Sequence, residues 1–176
     1  GNRNPLLYKN IGVDGIKTGY LAVEKYSLAA SMKTIDRRLI SVGSGFPTKN
    51  LRSRETNKIL NWGLRMFDTI KVVEKNSPFV DLDVWLGRKN KVKAYVKENV
   101  YLSIPKRKKN TVKASIEYSG PIDTPIKKDD ILGELNIYIE GELEKKLDLF
   151  AYEEVKKANL FSRLVRYFNF LVWGDV

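Results

Sequence analysis

The chain has 176 residues, 43% of them hydrophobic, which is enough for one domain or two small ones with real cores. Its formal net charge of +11 calls for an anionic partner or surface. It contains no cysteine and no histidine. Disulfides, zinc sites built on those residues and any histidine-dependent catalytic triad are therefore excluded, and no metal or cofactor is predicted.

The first informative stretch covers residues 12–20 and ends in Lys17-Thr18-Gly19-Tyr20. A lysine cation and a threonine hydroxyl can bind a substrate carboxylate, and a glycine lets a ligand approach an extended backbone closely. For the tripeptide by itself, a glycine-bounded turn with an exposed lysine is the preferred interpretation. Its meaning therefore depends on the surrounding sequence.

A hairpin and a helix are predicted next. Two apolar runs at residues 26–32 and 38–43 flank a polar segment, which predicts two paired strands. Apolar residues then recur at helical spacing between residues 59 and 67, and Asn50 or Ser53 is predicted to cap this helix. A helix packed on the hairpin sheet makes residues 1–67 an α/β unit.

From residue 68 the pattern changes to short apolar runs separated by turn residues. This rhythm predicts a small all-β sandwich over residues 68–155. The predicted strands cover residues 69–73, 92–96, 100–104, 112–116, 135–139 and 147–150.

The densest basic run, at residues 106–109, lies between two of these strands and directly after Pro105. A nucleic-acid site would need stacking aromatic residues on the same face, and none accompany this run. A solvated loop is the preferred interpretation, and no nucleic-acid partner is predicted. An anionic membrane or a cell-wall polymer remains an alternative.

Residues 156–176 are predicted to form an amphipathic helix that lies on a membrane surface. A helix of about fourteen residues spans roughly 21 Å, short of the hydrocarbon core of roughly 30 Å, so it cannot cross. A helix docked on a protein core is the alternative. The predicted membrane-binding residues are Leu160, Phe161, Leu164, Val165, Phe168, Leu171, Val172 and Trp173.

Taken together, these segments resemble the C-terminal portion of the serine-type D-alanyl-D-alanine carboxypeptidases, the low-molecular-mass penicillin-binding proteins. Lys-Thr-Gly is one of three short signatures of these enzymes and of the serine β-lactamases. The resemblance covers nearly the whole chain. Its segments follow the family's order at residues 4–7, 12–19, 26–31, 61–67 and 100–105.

This resemblance implies that residues 1–67 are an α/β remnant of a penicillin-binding transpeptidase-like domain. An all-β stalk and a membrane-surface helix would follow. It also implies a location on the periplasmic side of the bacterial inner membrane, with the peptidoglycan stem peptide as substrate and β-lactams as ligands of the full-length form.

The resemblance further implies a role for each residue of the strand. Lys17 would direct positive potential at the substrate carboxylate, Thr18 would hydrogen-bond it, and Gly19 would permit close approach. The backbone N–H of Tyr20 would form part of the oxyanion hole. Arg52 is a candidate second partner for the carboxylate.

The family's nucleophile motif, Ser-x-x-Lys on a helix, is expected to be missing from this chain. The string at residues 103–106 fits the spacing, but it follows Lys-Thr-Gly, and Pro105 prevents a helical arrangement. Tyr8-Lys9-Asn10 imitates a Tyr-x-Asn variant of the family's Ser-x-Asn but lies just before the strand, and it is rejected. The chain alone is therefore expected to be inactive.

A second interpretation is a non-enzymatic module that binds membranes or wall polymers and carries a vestigial Lys-Thr-Gly. Self-association is also kept open, because half of a catalytic domain would leave a sheet edge exposed.

Overall fold

The computed structural model describes residues 1–35, 37–159 and 164. The chain divides into two compact units. The first contains residues 1–69 and 103–106, and the second contains residues 70–102 and the described residues from 107 onward. The division of the sequence into 1–67, 68–155 and 156–176 stays a prediction.

The first unit contains a three-stranded antiparallel sheet in the order β1-β2-β3. The strands are β1 (Val13–Leu21), β2 (Lys25–Lys33) and β3 (Arg38–Phe46), preceded by a 3-10 helix at Pro5–Tyr8. Helix α1 (Lys49–Met66) packs on β2 and β3. The predicted hairpin and helix are therefore confirmed.

The core of the first unit lies between the sheet and α1, because alternate residues of β2 face the helix. Leu28, Ala30 and Met32 of β2 are almost completely buried, and Leu60 of α1 is buried with them. Leu6 from the 3-10 helix joins this cluster.

Both ends of α1 are capped by side chains. Thr48 is the N-cap, and its hydroxyl accepts a hydrogen bond from Leu51 N at 3.1 Å. The prediction of Asn50 or Ser53 as the cap is wrong, because both lie inside the helix, whereas Thr48 has the extended backbone of an N-cap. At the other end, the Arg37 guanidinium donates to the carbonyls of Leu64 and Phe67 at 2.9 and 2.7 Å. These bonds satisfy carbonyls at the end of the helix that have no partner within it.

The remaining strands form a six-stranded sheet in the order β8-β10-β11-β6-β5-β9 and a two-stranded sheet of β4 and β7. The six predicted runs all fall on strands, so the mostly β character is confirmed, but β5 and β9 were not predicted. The strands are β4 (Phe67–Val73), β5 (Val80–Trp85), β6 (Lys91–Tyr95), β7 (Val100–Pro105), β8 (Val112–Glu117), β9 (Ile122–Asp123), β10 (Ile131–Ile139) and β11 (Glu142–Ala151).

The basic run predicted as a loop is instead a 3-10 helix, Lys106–Thr111, between β7 and β8. Lys108 is ion-paired with Glu140, and Lys106 and Arg107 are exposed. The run is thus a mostly solvated connection in which Lys108 is anchored by an ion pair.

The segment from Val155 to Ala158 is extended and hydrogen-bonded within the second unit, through bonds such as Ala158 N to Leu86 O at 2.9 Å. In the described part of the chain, no helix has both the length and the hydropathy needed to cross a membrane. Of the predicted membrane-binding residues only Leu164 is described, and its side chain is exposed. The others lie outside the described residues: Leu160, Phe161, Val165, Phe168, Leu171, Val172 and Trp173.

Candidate functional site

Lys17, Thr18 and Gly19 lie on β1, a strand at the edge of the three-stranded sheet. Thr18 is opposite Leu28 of β2 and is half-buried on the side of α1. Lys17 is opposite Ala29, points to the other face and is exposed. An extended ligand that runs along β1 would therefore meet the ammonium and the hydroxyl from opposite sides of the strand.

Gly19 faces the Ser27 hydroxyl on β2. A Cβ at this position would meet that hydroxyl, and the serine side chain would have to rotate away to admit it. The absence of a side chain at Gly19 leaves the backbone of β1 accessible to a ligand.

The start of β1 is held by two asparagine side chains from the N-terminal segment. Asn4 is fully buried, donates to Gly15 O at 3.0 Å and accepts from Leu6 N at 3.0 Å. Asn2, which is exposed, donates to Ile16 O at 2.8 Å. Asn4 belongs to a segment that resembles the carboxypeptidase family in sequence, but the sequence did not predict that its side chain holds the start of β1.

An ion pair links β1 to β3 across the middle strand. The Arg38 guanidinium contacts both carboxylate oxygens of Asp14 at 2.7 Å and also donates to the Ser31 hydroxyl. Arg38, followed by Ser31, lowers the pKa of Asp14 to about 2. The Asp14 carboxylate in turn raises the pKa of Arg38.

We expect the Asp14 carboxyl to titrate near pH 2 in the folded chain, against an ordinary value of 3.8. Because its folded pKa is lowered, the ion pair stabilises the fold above the unfolded pKa, and that stabilisation is lost as the pH falls toward 2. Carboxyl-carbon NMR should place the midpoint near 2 in the unchanged chain and at a clearly higher pH in Arg38→Gln, because the largest cause of the lowered pKa is removed. Identical midpoints in the two proteins would contradict this assignment.

Arg52 reaches the end of β1 indirectly, through two tyrosines. Its guanidinium carbon lies 5.8 Å from the ring centroid of Tyr26, whose ring is 4.8 Å from that of Tyr20. Arg52 is only 6% exposed, and its Nε has no hydrogen-bond partner among the described residues. Within that part of the chain, no hydrogen bond or ion pair joins Arg52 to Lys17 or Thr18. The structure thus places Arg52 beside Tyr26, whose ring in turn contacts that of Tyr20.

The rejected Ser-x-x-Lys string is not carried by one helix. Ser103 lies in β7, which ends at Pro105, and Lys106 begins the 3-10 helix that follows. Tyr8 ends the first 3-10 helix, and its side chain is 78% exposed. Among the residues that the structure describes, no cluster of three or more acidic side chains could hold a metal.

Comparison with known proteins identifies the chain's relatives. A family model described as "Penicillin-binding protein 5, C-terminal domain" matches residues 67–157. The D-alanyl-D-alanine carboxypeptidase DacA of Escherichia coli K12 is 33% identical over 172 residues, which cover 97% of this chain and 43% of the relative. DacC of the same organism is 35% identical over 165 residues, covering 93% of this chain and 41% of the relative.

A solved structure agrees with these relatives. Penicillin-binding protein 5 from Haemophilus influenzae has a TM-score of 0.72 and 35% identity, covering 88% of this chain and 46% of that one. The eight strands that begin at Phe67 therefore define a mostly β domain of the penicillin-binding protein type. The chain belongs to the family of the penicillin-binding protein 5 C-terminal domain, and it spans less than half the length of the curated relatives it matches.

Proposed function

We propose that this chain is the C-terminal portion of a serine-type D-alanyl-D-alanine carboxypeptidase, in which it supplies one wall of the active site. The observation that carries this proposal is Lys17-Thr18-Gly19 on an exposed edge strand, in a chain whose relatives are named for that activity. Residues 1–67 would then be the end of a transpeptidase-like domain, and an upstream segment would contribute the nucleophile and its base.

In this proposal the stem peptide lies along β1 and pairs with its backbone. Its terminal carboxylate is bound by the Lys17 ammonium and the Thr18 hydroxyl, both charge-assisted contacts. The Tyr20 N–H stabilises the oxyanion that forms when the upstream serine attacks the penultimate D-alanine carbonyl. Terminal D-alanine leaves, and water then releases the acyl group from the serine.

Arg52 would act on the same end of the strand. Arg52 forms no ion pair among the described residues, so its positive potential is not offset there, and its guanidinium lies beside Tyr26, the partner of Tyr20. A substrate carboxylate beside Tyr20 would benefit from that field. Stacking of the guanidinium on Tyr26 would also fix the aromatic pair that flanks Gly19.

The test is acylation by a labelled penicillin, applied to this chain and to the longest natural product of its gene. The proposal expects label on the long form alone. A long form that takes no label contradicts the proposal and favours the second candidate, a non-enzymatic wall- or membrane-binding module. The observation that favours that candidate is the placement of Ser103 in β7 and of Lys106 in the following 3-10 helix, so the two residues do not form a Ser-x-x-Lys pair on one helix. Label on this chain itself would make Ser103 a nucleophile and would also contradict the proposal.

The second unit would serve as a stalk, and the stripe at residues 160–173 would bind the outer face of the inner membrane. We expect deletion of residues 160–176 to abolish sedimentation of the chain with vesicles of phosphatidylethanolamine and phosphatidylglycerol. A Leu164→Asp variant should weaken sedimentation strongly, because it places a charge in the apolar stripe. Unchanged sedimentation of the deletion variant would assign membrane binding to the basic surface of the rest of the chain.

A further inference from the structure

The hydroxyl of Ser27 has no role in the proposed function, although it lies beside the strand that carries Lys17, Thr18 and Gly19. Ser27 is on β2, directly opposite Gly19 in the antiparallel pair of β1 and β2. Its side chain is half-buried, and its hydroxyl forms no hydrogen bond with another side chain or backbone group in the described part of the chain. The hydroxyl is therefore available to a ligand.

The Ser27 hydroxyl points from β2 toward β1 and fills the place that a side chain at Gly19 would take. A Cβ at Gly19 would overlap the Ser27 Oγ, whereas it would lie 3.8 Å from the Ser27 Cβ. The oxygen thus stands closer to β1 than the carbon that bears it. Gly19 has no side chain of its own, and Ser27 supplies a hydroxyl in its place.

This hydroxyl lies on the same face of the sheet as the Lys17 side chain. Lys17 and Gly19 are two residues apart on β1, and positions two apart on a strand project to the same face. Ala29, which is opposite Lys17, is the neighbour of Ser27 on this face of β2. Because Ala29 contributes only a methyl group and Gly19 only backbone, β1 and β2 place no bulky side chain between the ammonium and the hydroxyl.

An extended ligand along the free edge of β1 would come within reach of the Ser27 hydroxyl. Neighbouring strands lie about 4.8 Å apart, and directly opposite Cβ atoms lie about 4.5–5.5 Å apart. Because the Ser27 Oγ takes the Cβ place of Gly19, it stands about that far from the Cβ of a ligand residue opposite Gly19. A carboxylate on that residue can extend over the bare glycine backbone and close the gap to hydrogen-bond distance.

We propose that Ser27 is a third carboxylate-binding residue for the substrate, beside Lys17 and Thr18. This rests on the proposed function, in which Lys17 and Thr18 bind the terminal carboxylate and the Tyr20 N–H faces the scissile carbonyl. The terminal residue of the substrate then lies opposite Gly19. One carboxylate oxygen accepts from Thr18 on the side of α1, and the other accepts from Lys17 and Ser27 on the opposite face, because an ionised carboxylate has about four acceptor sites. The ligand class is a peptide with a free C-terminal carboxylate.

The test uses the long form and two peptides, one ending in D-alanyl-D-alanine and one with its terminal carboxylate replaced by a carboxamide. Ser27→Ala should lower kcat/KM for the carboxylate peptide about tenfold or more, the usual effect of losing a hydrogen bond to a charged group. The value for the carboxamide peptide should stay within about threefold, because a hydrogen bond to a neutral group contributes less. Rates are measured with enzyme in excess, so that slow turnover of the carboxamide is still recorded.

Ser41→Ala is the matched control. Ser41 is also a half-buried serine of this sheet, but it is opposite Ala30 on β3 and projects to the side of α1. Its replacement should leave kcat/KM for both peptides unchanged. Both variants should unfold at the same urea concentration as the unchanged protein, since neither removes a hydrogen bond within the described residues.

Two outcomes would overturn the proposal. The first is an unchanged kcat/KM of Ser27→Ala for the carboxylate peptide. The second is an equal loss for the two peptides, which would place the effect of Ser27 away from the carboxylate. Either result, in a long form that penicillin labels, leaves the proposed function intact. A long form that takes no label contradicts the proposed function and this proposal together.

Discussion

Replacement of Lys17 by methionine in the long form should lower kcat/KM for a D-alanyl-D-alanine peptide on the order of 10²-fold. Lys17 is exposed on β1 and forms no ion pair within the described residues, so its ammonium is available to a carboxylate. Methionine has a similar length and no charge. The effect should therefore appear in activity and not in the folding of the strand.

Lys33→Met provides the control, because Lys33 is also an exposed lysine of the same sheet, at the end of β2. It changes the net charge by the same amount and should leave kcat/KM within about twofold, since surface substitutions away from a site have small effects. Equal losses in the two variants would mean that the overall field, and not a contact at Lys17, supports activity. Penicillin acylation rates measured on both variants would show whether acylation is the step affected.

Asn4→Ala should lower the free energy of unfolding of the first unit by about 2–4 kcal/mol. Asn4 is fully buried, and its removal leaves Gly15 O and Leu6 N without their partners. Each buried polar group left unsatisfied costs about 1–3 kcal/mol. Urea unfolding followed at the indole signal of Trp62 reports on this unit, because Trp62 lies on α1.

Asn2→Ala is the matched control for this second prediction. Asn2 also donates to a carbonyl of β1, at 2.8 Å, but that bond is exposed and water can replace it. Its Oδ1 accepts a part-buried hydrogen bond from Asn4 N at 3.0 Å, so its loss should cost something, but less than the loss of the buried Asn4 amide. If both variants unfold at the same urea concentration, the buried amide is not what holds the start of β1.

The secondary structure of the first unit could be predicted because its signals are local. The hairpin follows from two apolar runs and the helix from spacing on one face. The N-cap could not be chosen by residue type alone, since Thr48, Asn50 and Ser53 are all good caps and only the backbone of Thr48 is extended. Strand β5 was missed because Asp81 and Asp83 are poor strand formers, although Leu82 and Val84 between and beside them are buried.

The candidate site was predictable only in part. Lys17 and Thr18 are contiguous and could be recognised together, whereas their structural support comes from distant positions. The contacts of Asn4 with Gly15 and of Asp14 with Arg38 depend on strand order and register, which one sequence does not specify.

The two edges of the three-stranded sheet differ, and this difference limits how copies of the chain can assemble. At β1, side chains of Asn2 and Asn4 already occupy the carbonyls of Ile16 and Gly15. At β3, Ile40 and Val42 are 63% and 78% exposed. A fibre of copies needs both edges to pair, and at β1 the two asparagine side chains compete with an added strand for those carbonyls. Both contacts lie before Lys17, so a short extended ligand can still pair with the part of β1 that carries Lys17, Thr18 and Gly19.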